Sequence, residues 1–422
     1  MKYFKTDGIR GKANKHPITS NFFQRIGESL NIFKEKNIIV SHDTRSSSIS
    51  LSYSIISSLL SINKNVIYKG VCPTPSIIYE SKKLNTLGII ITASHNPYYD
   101  NGIKIVYKGL KIDDNYIKEI EDYLNNENKF IIKNNFGNLI NNYNLEYDKL
   151  IKQMFIYNNN CLYDLANGSS IRYSNLFINT INNNPNGINI NQDCGSTNIF
   201  KMQEYLKNTN YDLLYSFDGD ADRLLMCSKN KIYNGNHILF LLAKYFKDNH
   251  LLNNNKIVST IICNPGLKRS LKKINIELIE VNVGDLNVLK YMLDNNLNLG
   301  GEPSGHIITP YNLTSDGIIT SQIINKILLN SKSSLDNLLK DLNLDYEENI
   351  NLKLKNNNLI NHEKIINLKN EFNGKIIIRK SGTEDLIRLY LSSNINSIKI
   401  FKDKFYKTLV ELGEKLDKNL FL

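Results

Sequence analysis

Cysteine is scarce in this chain. Its five copies, Cys72, Cys161, Cys194, Cys227 and Cys263, are odd in number, widely spaced and never in a C-x-x-C pair. That excludes a disulfide framework and a thiolate zinc site, and points to reduced thiols in a cytosolic protein. Long apolar runs are missing: none approaches the ~18 residues of a membrane span. The opening residues, Met1-Lys2-Tyr3-Phe4-Lys5-Thr6-Asp7-Gly8, carry no apolar signal core. The expectation is a soluble, cytoplasmic protein with no membrane partner. Basic blocks are absent as well. The net charge is +11, yet Lys, Asn and Ile are spread everywhere, loops included, and no run of five basic residues occurs. The excess reads as a solvated basic surface rather than a nucleic-acid site, though its mild field would gather small anions.

What is present is an ordinary globular composition, 41% hydrophobic and 22% charged over 422 residues. At ~100–200 residues per domain this supports two to four domains with sizeable cores. Short apolar runs at 38–40, 66–68 and 87–91 alternate with a helical pattern at 48–61. The rhythm returns at 212–217, 237–246, 256–262, 266–273 and 276–281. Near the end, 375–378 and 386–391 read as strands and 398–412 as an amphipathic helix. Strand–helix–strand repetition predicts α/β domains with mixed or parallel sheets. Asn-rich stretches near 125–145, 247–255 and 330–360 read as linkers. They divide the chain into 1–145, 146–248, 249–345 and 346–422. Each segment carries one conspicuous polar loop at or near a strand end, where open α/β sheets bind ligands, so four loops around one cleft are expected.

The first loop is Ile91-Thr92-Ala93-Ser94-His95-Asn96-Pro97. The apolar run before it and the Asn-Pro turn after it place the Ser94 hydroxyl at an exposed strand tip. A hydrolase nucleophile would need G-x-S-x-G and an oriented base. The motif is absent, and His95, as the adjacent residue, should point elsewhere. A P-loop is absent too, since Gly11-Lys12 is followed by Ala13. Ser94 therefore needs another activator. Asn101-Gly102-Ile103-Lys104 brings a lysine back towards it.

The second loop, Phe217-Asp218-Gly219-Asp220-Ala221-Asp222-Arg223, offers that activator. Carboxylates at spacing two in an extended loop face one side and repel unless a cation neutralises them. Hard oxygen ligands favour magnesium. An EF-hand fails, because Arg223 stands where its glycine belongs and Lys229 where its last glutamate belongs. A solvated acidic turn is the plain alternative. In Gly300-Gly301-Glu302-Pro303-Ser304-Gly305-His306, a carboxylate, a hydroxyl and an imidazole at alternate positions can bracket sugar hydroxyls. His306 can also shuttle a proton. A surface glycine turn would explain the same residues. Arg379, Ser381, Gly382, Thr383 and Arg388 suit a phosphate dianion. Ser381-x-x-Glu384 also reads as a capping box, and a capped helix N-terminus is itself an anion site.

Taken together and in this order, the loops resemble the α-D-phosphohexomutase superfamily, most closely its bacterial phosphoglucosamine mutase branch. The resemblance also covers Thr6-Asp7-Gly8-Ile9-Arg10-Gly11 and Asn186-Gly187-Ile188-Asn189-Ile190-Asn191 with Cys194-Gly195-Ser196-Thr197. It implies three related α/β domains and a smaller α+β fourth domain around a central cleft. It implies conversion of glucosamine 6-phosphate to glucosamine 1-phosphate through phosphoserine at Ser94 and a bound 1,6-bisphosphate, which also serves as primer. The product would feed UDP-N-acetylglucosamine and cell-wall synthesis. One Mg²⁺ would be held by the Ser94 phosphate, Asp218, Asp220 and Asp222. Arg10 and Lys104 would stabilise the transferring phosphoryl group, and His306 would carry a proton. His95, Arg223, Glu302, Ser304, Arg379, Ser381, Gly382, Thr383 and Arg388 would bind substrate. A phosphomannomutase or phosphoglucomutase is the nearest alternative, and a non-catalytic sugar-phosphate binder a more distant one. The partner is a small hexosamine phosphate, handled by a monomer or homodimer, with the activating kinase or bisphosphate donor open. The sequence departs from the family at Lys5 (usually Gly), at Asn282 and Leu286 (usually Lys and Arg) and at Pro303 (often Gln).

Overall fold

The computed structural model describes residues 2–5, 8–126, 131, 133–354, 356–380 and 386–414. Four sheets follow one another along the chain. In the first, Asn37–His42 pairs in parallel with Asn65–Val71 and with Leu87–Ile91. Asp100–Tyr107 closes one side antiparallel to Leu87–Ile91, and Ile9–Lys12 lies antiparallel beyond it. Leu87–Ile91 is buried at every position, as befits a strand covered on both faces.

The second sheet centres on Leu213–Phe217, parallel to Cys161–Asp164 and antiparallel to Leu224–Ser228. In the third, Lys256–Thr260 pairs in parallel with Glu277–Val281 and Gly300–Gly301. The fourth is antiparallel throughout: Tyr346–Leu352 and Lys375–Lys380 flank Ile387–Ser393. The architecture is thus α/β, with a smaller last unit of different topology. One apolar core runs through the first three sheets, from Ile39 and Ile77 through Tyr163 and Phe217 to Leu239 and Ile318. The fourth sheet has a core of its own around Leu352, Leu389, Phe401 and Phe405.

Two local features explain otherwise awkward sequence. Helix Ser46–Ser61 is rich in serine, a poor interior helix former. Ser52 and Ser54 satisfy their hydroxyls within the helix, donating to the carbonyls of Ser48 at 2.7 Å and Ser50 at 2.9 Å, while the buried Ser48 hydroxyl donates to Asp43 at 2.6 Å. The stretch 330–360, expected as a linker, instead holds strand Tyr346–Leu352. Its alternation is masked by Glu and Asn on the less buried face, while Ile350 and Leu352 face the core.

Candidate active site

The polar loops converge as the strand-end rule requires. Ser94 lies just past Leu87–Ile91, and Asp218 directly follows Leu213–Phe217. Although 124 residues apart, they touch: the Ser94 hydroxyl donates to Asp218 Oδ2 at 2.8 Å. Ser94 is therefore buried, 1% exposed, and not the open strand tip expected from the local turn. The acidic loop covers it. Ser94 adopts φ +52°, the left-handed region. That curl breaks side-chain alternation, so His95 does not point away, and its Nδ1 lies 3.4 Å from Ser94 Oγ.

The loop is held from below by a residue the sequence reading passed over. Arg45, 1% exposed, sends its guanidinium under the serine turn, and Nη2 donates to the carbonyls of Ser94 at 2.9 Å and Asn96 at 2.8 Å. Asn191 Nδ2 donates to the same two carbonyls, at 2.9 and 3.3 Å. Gly219 has no side chain because none fits: a Cβ there would stand 2.5 Å from the Ser94 carbonyl oxygen.

Asp218, Asp220 and Asp222 are all buried, and each offers a carboxylate oxygen within 4.8 Å of the others. Lys104, brought in by Asp100–Tyr107, donates to Asp220 Oδ2 at 2.8 Å and to Asp222 Oδ2 at 3.1 Å. Thr74 also donates to Asp220 Oδ2, at 2.6 Å. Burial would push both central acids up. For Asp220 the ion pair with Lys104 overrides burial and the net shift is downward. For Asp218, burial together with the charges of Asp222 and Asp220 drives it well above the usual carboxylate range. Asp220 Oδ1 and Asp222 Oδ1 are buried and lack a hydrogen-bond partner among the described residues. Orphaned carboxylate oxygens of this kind fit a divalent cation: the donors are hard, anionic and clustered.

The third loop docks on the second through its backbone. The Leu224 amide donates to the Gly305 carbonyl at 3.0 Å, and Gly305 takes φ +95° with no room for a Cβ against the Leu224 carbonyl oxygen at 2.4 Å. Arg223 Nε donates to His306 Nε2 at 2.7 Å, and His306 Nδ1 lies 3.6 Å from Glu302 Oε2. Glu302 is fixed by the Gly284 amide at 3.0 Å. His95 lies in the positive field of Arg223, is half-buried, and also feels Arg10; its pKa falls to about 2, so the ring is neutral.

The fourth sheet completes the wall. Arg379 and Arg388 are directly opposed across neighbouring strands. With Ser304, Pro303, Glu347 and Tyr390 they line a cleft of about 360 Å³. Burial and the charge of Arg388 lower the pKa of Arg379, a pair poised for an anion. Ser381, Gly382 and Thr383 lie outside the described residues. Arg10 reaches the serine loop, Nη1 donating to the Ala93 carbonyl at 3.3 Å. Two of the sequence departures share one place: Lys5 and Leu286 both line a cleft of about 420 Å³ that also contains Lys104 and Asp222. Beside Leu286, Asp285 pairs with Lys111 at 3.1 Å.

Residues 1–130 match the family described as phosphoglucomutase/phosphomannomutase, alpha/beta/alpha domain I, and residues 234–346 match its domain III. The chain is 35% identical to a phosphoglucosamine mutase of Buchnera aphidicola, covering 100% of this chain and 98% of that one. It is 34% identical to a phosphoglucosamine mutase of Clostridioides difficile, covering 92% and 94%. Among solved structures, a phosphoglucomutase/phosphomannomutase family protein from Burkholderia thailandensis superposes with a TM-score of 0.79 at 20% identity, covering 98% of each chain. An Aspergillus fumigatus N-acetylphosphoglucosamine mutase, solved with GlcNAc-6P and magnesium, superposes with a TM-score of 0.61 at 15% identity, covering 95% of each. With the sequence likeness running end to end and the folds alike over nearly the whole chain, this protein belongs to the phosphoglucosamine mutase family of the phosphohexomutases.

Proposed function

We propose that the chain interconverts glucosamine 6-phosphate and glucosamine 1-phosphate, in the supply of UDP-N-acetylglucosamine, with Ser94 as the phosphate carrier. The contact that carries this reading is the buried Ser94 hydroxyl on Asp218, 2.8 Å away, at the edge of a three-carboxylate cluster. Ser94 Oγ gives its phosphoryl group to the free sugar hydroxyl; the Oγ–P bond breaks, the sugar O–P bond forms, and the hydroxyl proton leaves to His306. The bisphosphate turns over in the cleft. Its other phosphoryl group then returns to Ser94 Oγ and the proton to the sugar oxygen it leaves. A magnesium ion held by Asp218, Asp220, Asp222 and the Ser94 phosphate would withdraw charge from the phosphoryl group.

Arg10 and Lys104 offer charge to the equatorial oxygens, and Arg223 and His95 flank them. Glu302 and Ser304 accept and donate to sugar hydroxyls in either orientation. Arg379 and Arg388, with Ser381, Gly382 and Thr383, grip the phosphate that is not reacting. Such a loose transition state leaves positioning as the chain's main task. The units 1–145, 146–248, 249–345 and 346–422 would each supply one wall. No helix of the described residues is long and apolar enough to cross a membrane. The reading places the protein in the cytoplasm, acting on a small molecule as monomer or homodimer. Turnover measured with glucosamine 6-phosphate, mannose 6-phosphate and glucose 6-phosphate, each with Mg²⁺ and a bisphosphate primer, tests the assignment. Glucosamine 6-phosphate should be turned over fastest; a mannose or glucose preference would move the chain to that branch.

A further inference from the structure

We infer that Arg45 is a positioning residue for phosphoryl transfer at Ser94, acting with Asn191 as a two-sided clamp on the serine loop. The inference rests on Ser94 being the phosphate carrier. A guanidinium has five N–H donors. Here all five are spent on one small region. Nε donates to Asp43 Oδ2 at 2.8 Å. Nη2 donates to the carbonyls of Ser94 and Asn96, and Nη1 to those of Pro97 and, at 3.1 Å, Asp100. A fully buried charge is costly unless it is paired and saturated. This one is both.

The counter-ion continues the frame. Asp43 accepts from Ser48 Oγ at 2.6 Å and from Thr92 Oγ1 at 2.7 Å. Thr92 Oγ1 in turn accepts the Ser94 amide at 2.9 Å. Ser94 is thus held at its N–H by Thr92 and at its C=O by Arg45 and Asn191. A non-glycine residue in the left-handed region persists when its surroundings over-determine it, and these three contacts do so. Two consequences follow for the chemistry. The hydroxyl is aimed at Asp218 rather than left to rotate with a mobile turn. Four loop carbonyls are also turned inward onto the guanidinium, so their lone pairs do not face a phosphate dianion on Ser94. Asn191 belongs to the stretch between Cys161–Asp164 and Leu213–Phe217, so the clamp also registers the first sheet's loop against the second sheet's unit.

Lysine at 45 keeps the charge but has three donors on a single nitrogen and cannot reproduce the fork. Arg45→Lys should therefore fold, lose about 100-fold in kcat with KM within about twofold, and take up phosphate on Ser94 correspondingly slowly. Its peptides spanning 92–101 should exchange amide hydrogens faster than wild type. Asn191→Ala should move the same readouts in the same direction by about 10-fold. The clamp is overturned if Arg45→Lys exchanges like wild type in that segment, or if its kcat stays within about twofold. Should Arg45→Lys fail to fold, Asn191→Ala and Thr92→Val decide, and an unchanged kcat in both overturns it. If the wild-type protein takes no phosphate on Ser94 at all, the mutase reading falls, while hydrogen exchange still judges the clamp.

Discussion

Asp218→Asn separates the electrostatics of the acidic cluster from its shape. Asp218 accepts the Ser94 hydroxyl at 2.8 Å and the Arg223 amide at 3.3 Å. Asparagine can keep both contacts: its oxygen takes the amide N–H and its NH₂ donates to Ser94 Oγ, because a hydroxyl also accepts. What disappears is one negative charge. Carboxylate oxygens within 4.8 Å of each other repel by ~3.5 kcal/mol per pair at an effective dielectric of ~20. Lys104 already offsets Asp220 and Asp222 at 2.8 and 3.1 Å, whereas the cation paired with Asp218, Arg223 Nε, stands 4.0 Å away. Burial, then Asp222 and Asp220, drive the Asp218 carboxyl well above the ordinary range, and any proton it binds relieves part of that repulsion.

The expected gain in chelator is therefore ~1–2 kcal/mol, about half or less of one pair's repulsion, which raises the melting temperature by about 1–2 °C in a chain of 422 residues. The sign with pH follows. Between the ordinary carboxylate pKa and the raised one, the folded state binds more protons than the unfolded state, so this group's contribution falls as pH rises through that window. The variant should lack that slope. In Mg²⁺ the order reverses: a ligand at 100 times its Kd adds ~2.7 kcal/mol to a folded state that binds it, and the variant has one ligand fewer. Calorimetry in EDTA and in excess Mg²⁺ across neutral pH decides. A variant less stable than wild type in EDTA, or one with an undiminished gain from Mg²⁺, would refute the reasoning.

Three further outcomes are expected. Arg379→Ala and Arg388→Ala should each raise KM for the sugar phosphate by ~10–100-fold, the worth of a charge-assisted hydrogen bond, with melting unchanged; unaltered KM values would remove the fourth sheet from the phosphate site. Gly219→Ala places a Cβ 2.5 Å from the Ser94 carbonyl oxygen. It should cost ~1–3 kcal/mol in calorimetry and lower kcat; wild-type values for both would show that the loop gives way freely. His95, pushed down to about 2 by Arg223, burial and Arg10, should show no NMR titration near its ordinary 6.5. Because the unfolded chain takes that proton more readily, its contribution to stability is lost as pH falls below about 6.5. Arg223→Gln should raise its midpoint, and a wild-type midpoint near 6.5 would contradict the stated field.

Strand positions were largely legible because buried strands advertise themselves as apolar runs: the expectation at 87–91 matches Leu87–Ile91, and 212–217 matches Leu213–Phe217 within a residue. Motif chemistry also placed Ser94, the three aspartates and Lys104 in candidate roles, and the fold brings them together. What stayed hidden is whatever depends on a distant segment. Ser94 reads locally as an exposed turn, yet it is buried and bonded to the acidic loop 124 residues later. His95 was expected to point away because strict alternation assumes extended backbone, which φ +52° at Ser94 ends. Arg45 and Asn191 carry no local signature of a clamp, since their partners are main-chain carbonyls, which look the same at every position. The strand at Tyr346–Leu352 was missed because its polar face outnumbers its apolar one.

The central claim is that Ser94 carries the phosphoryl group. Wild-type protein incubated with glucosamine 1,6-bisphosphate and Mg²⁺, then digested and examined by mass spectrometry, should carry one phosphate on the peptide containing Ser94, and Ser94→Ala should lose both that phosphate and turnover. A Ser94→Ala protein with full activity, or a phosphate found elsewhere, would contradict it.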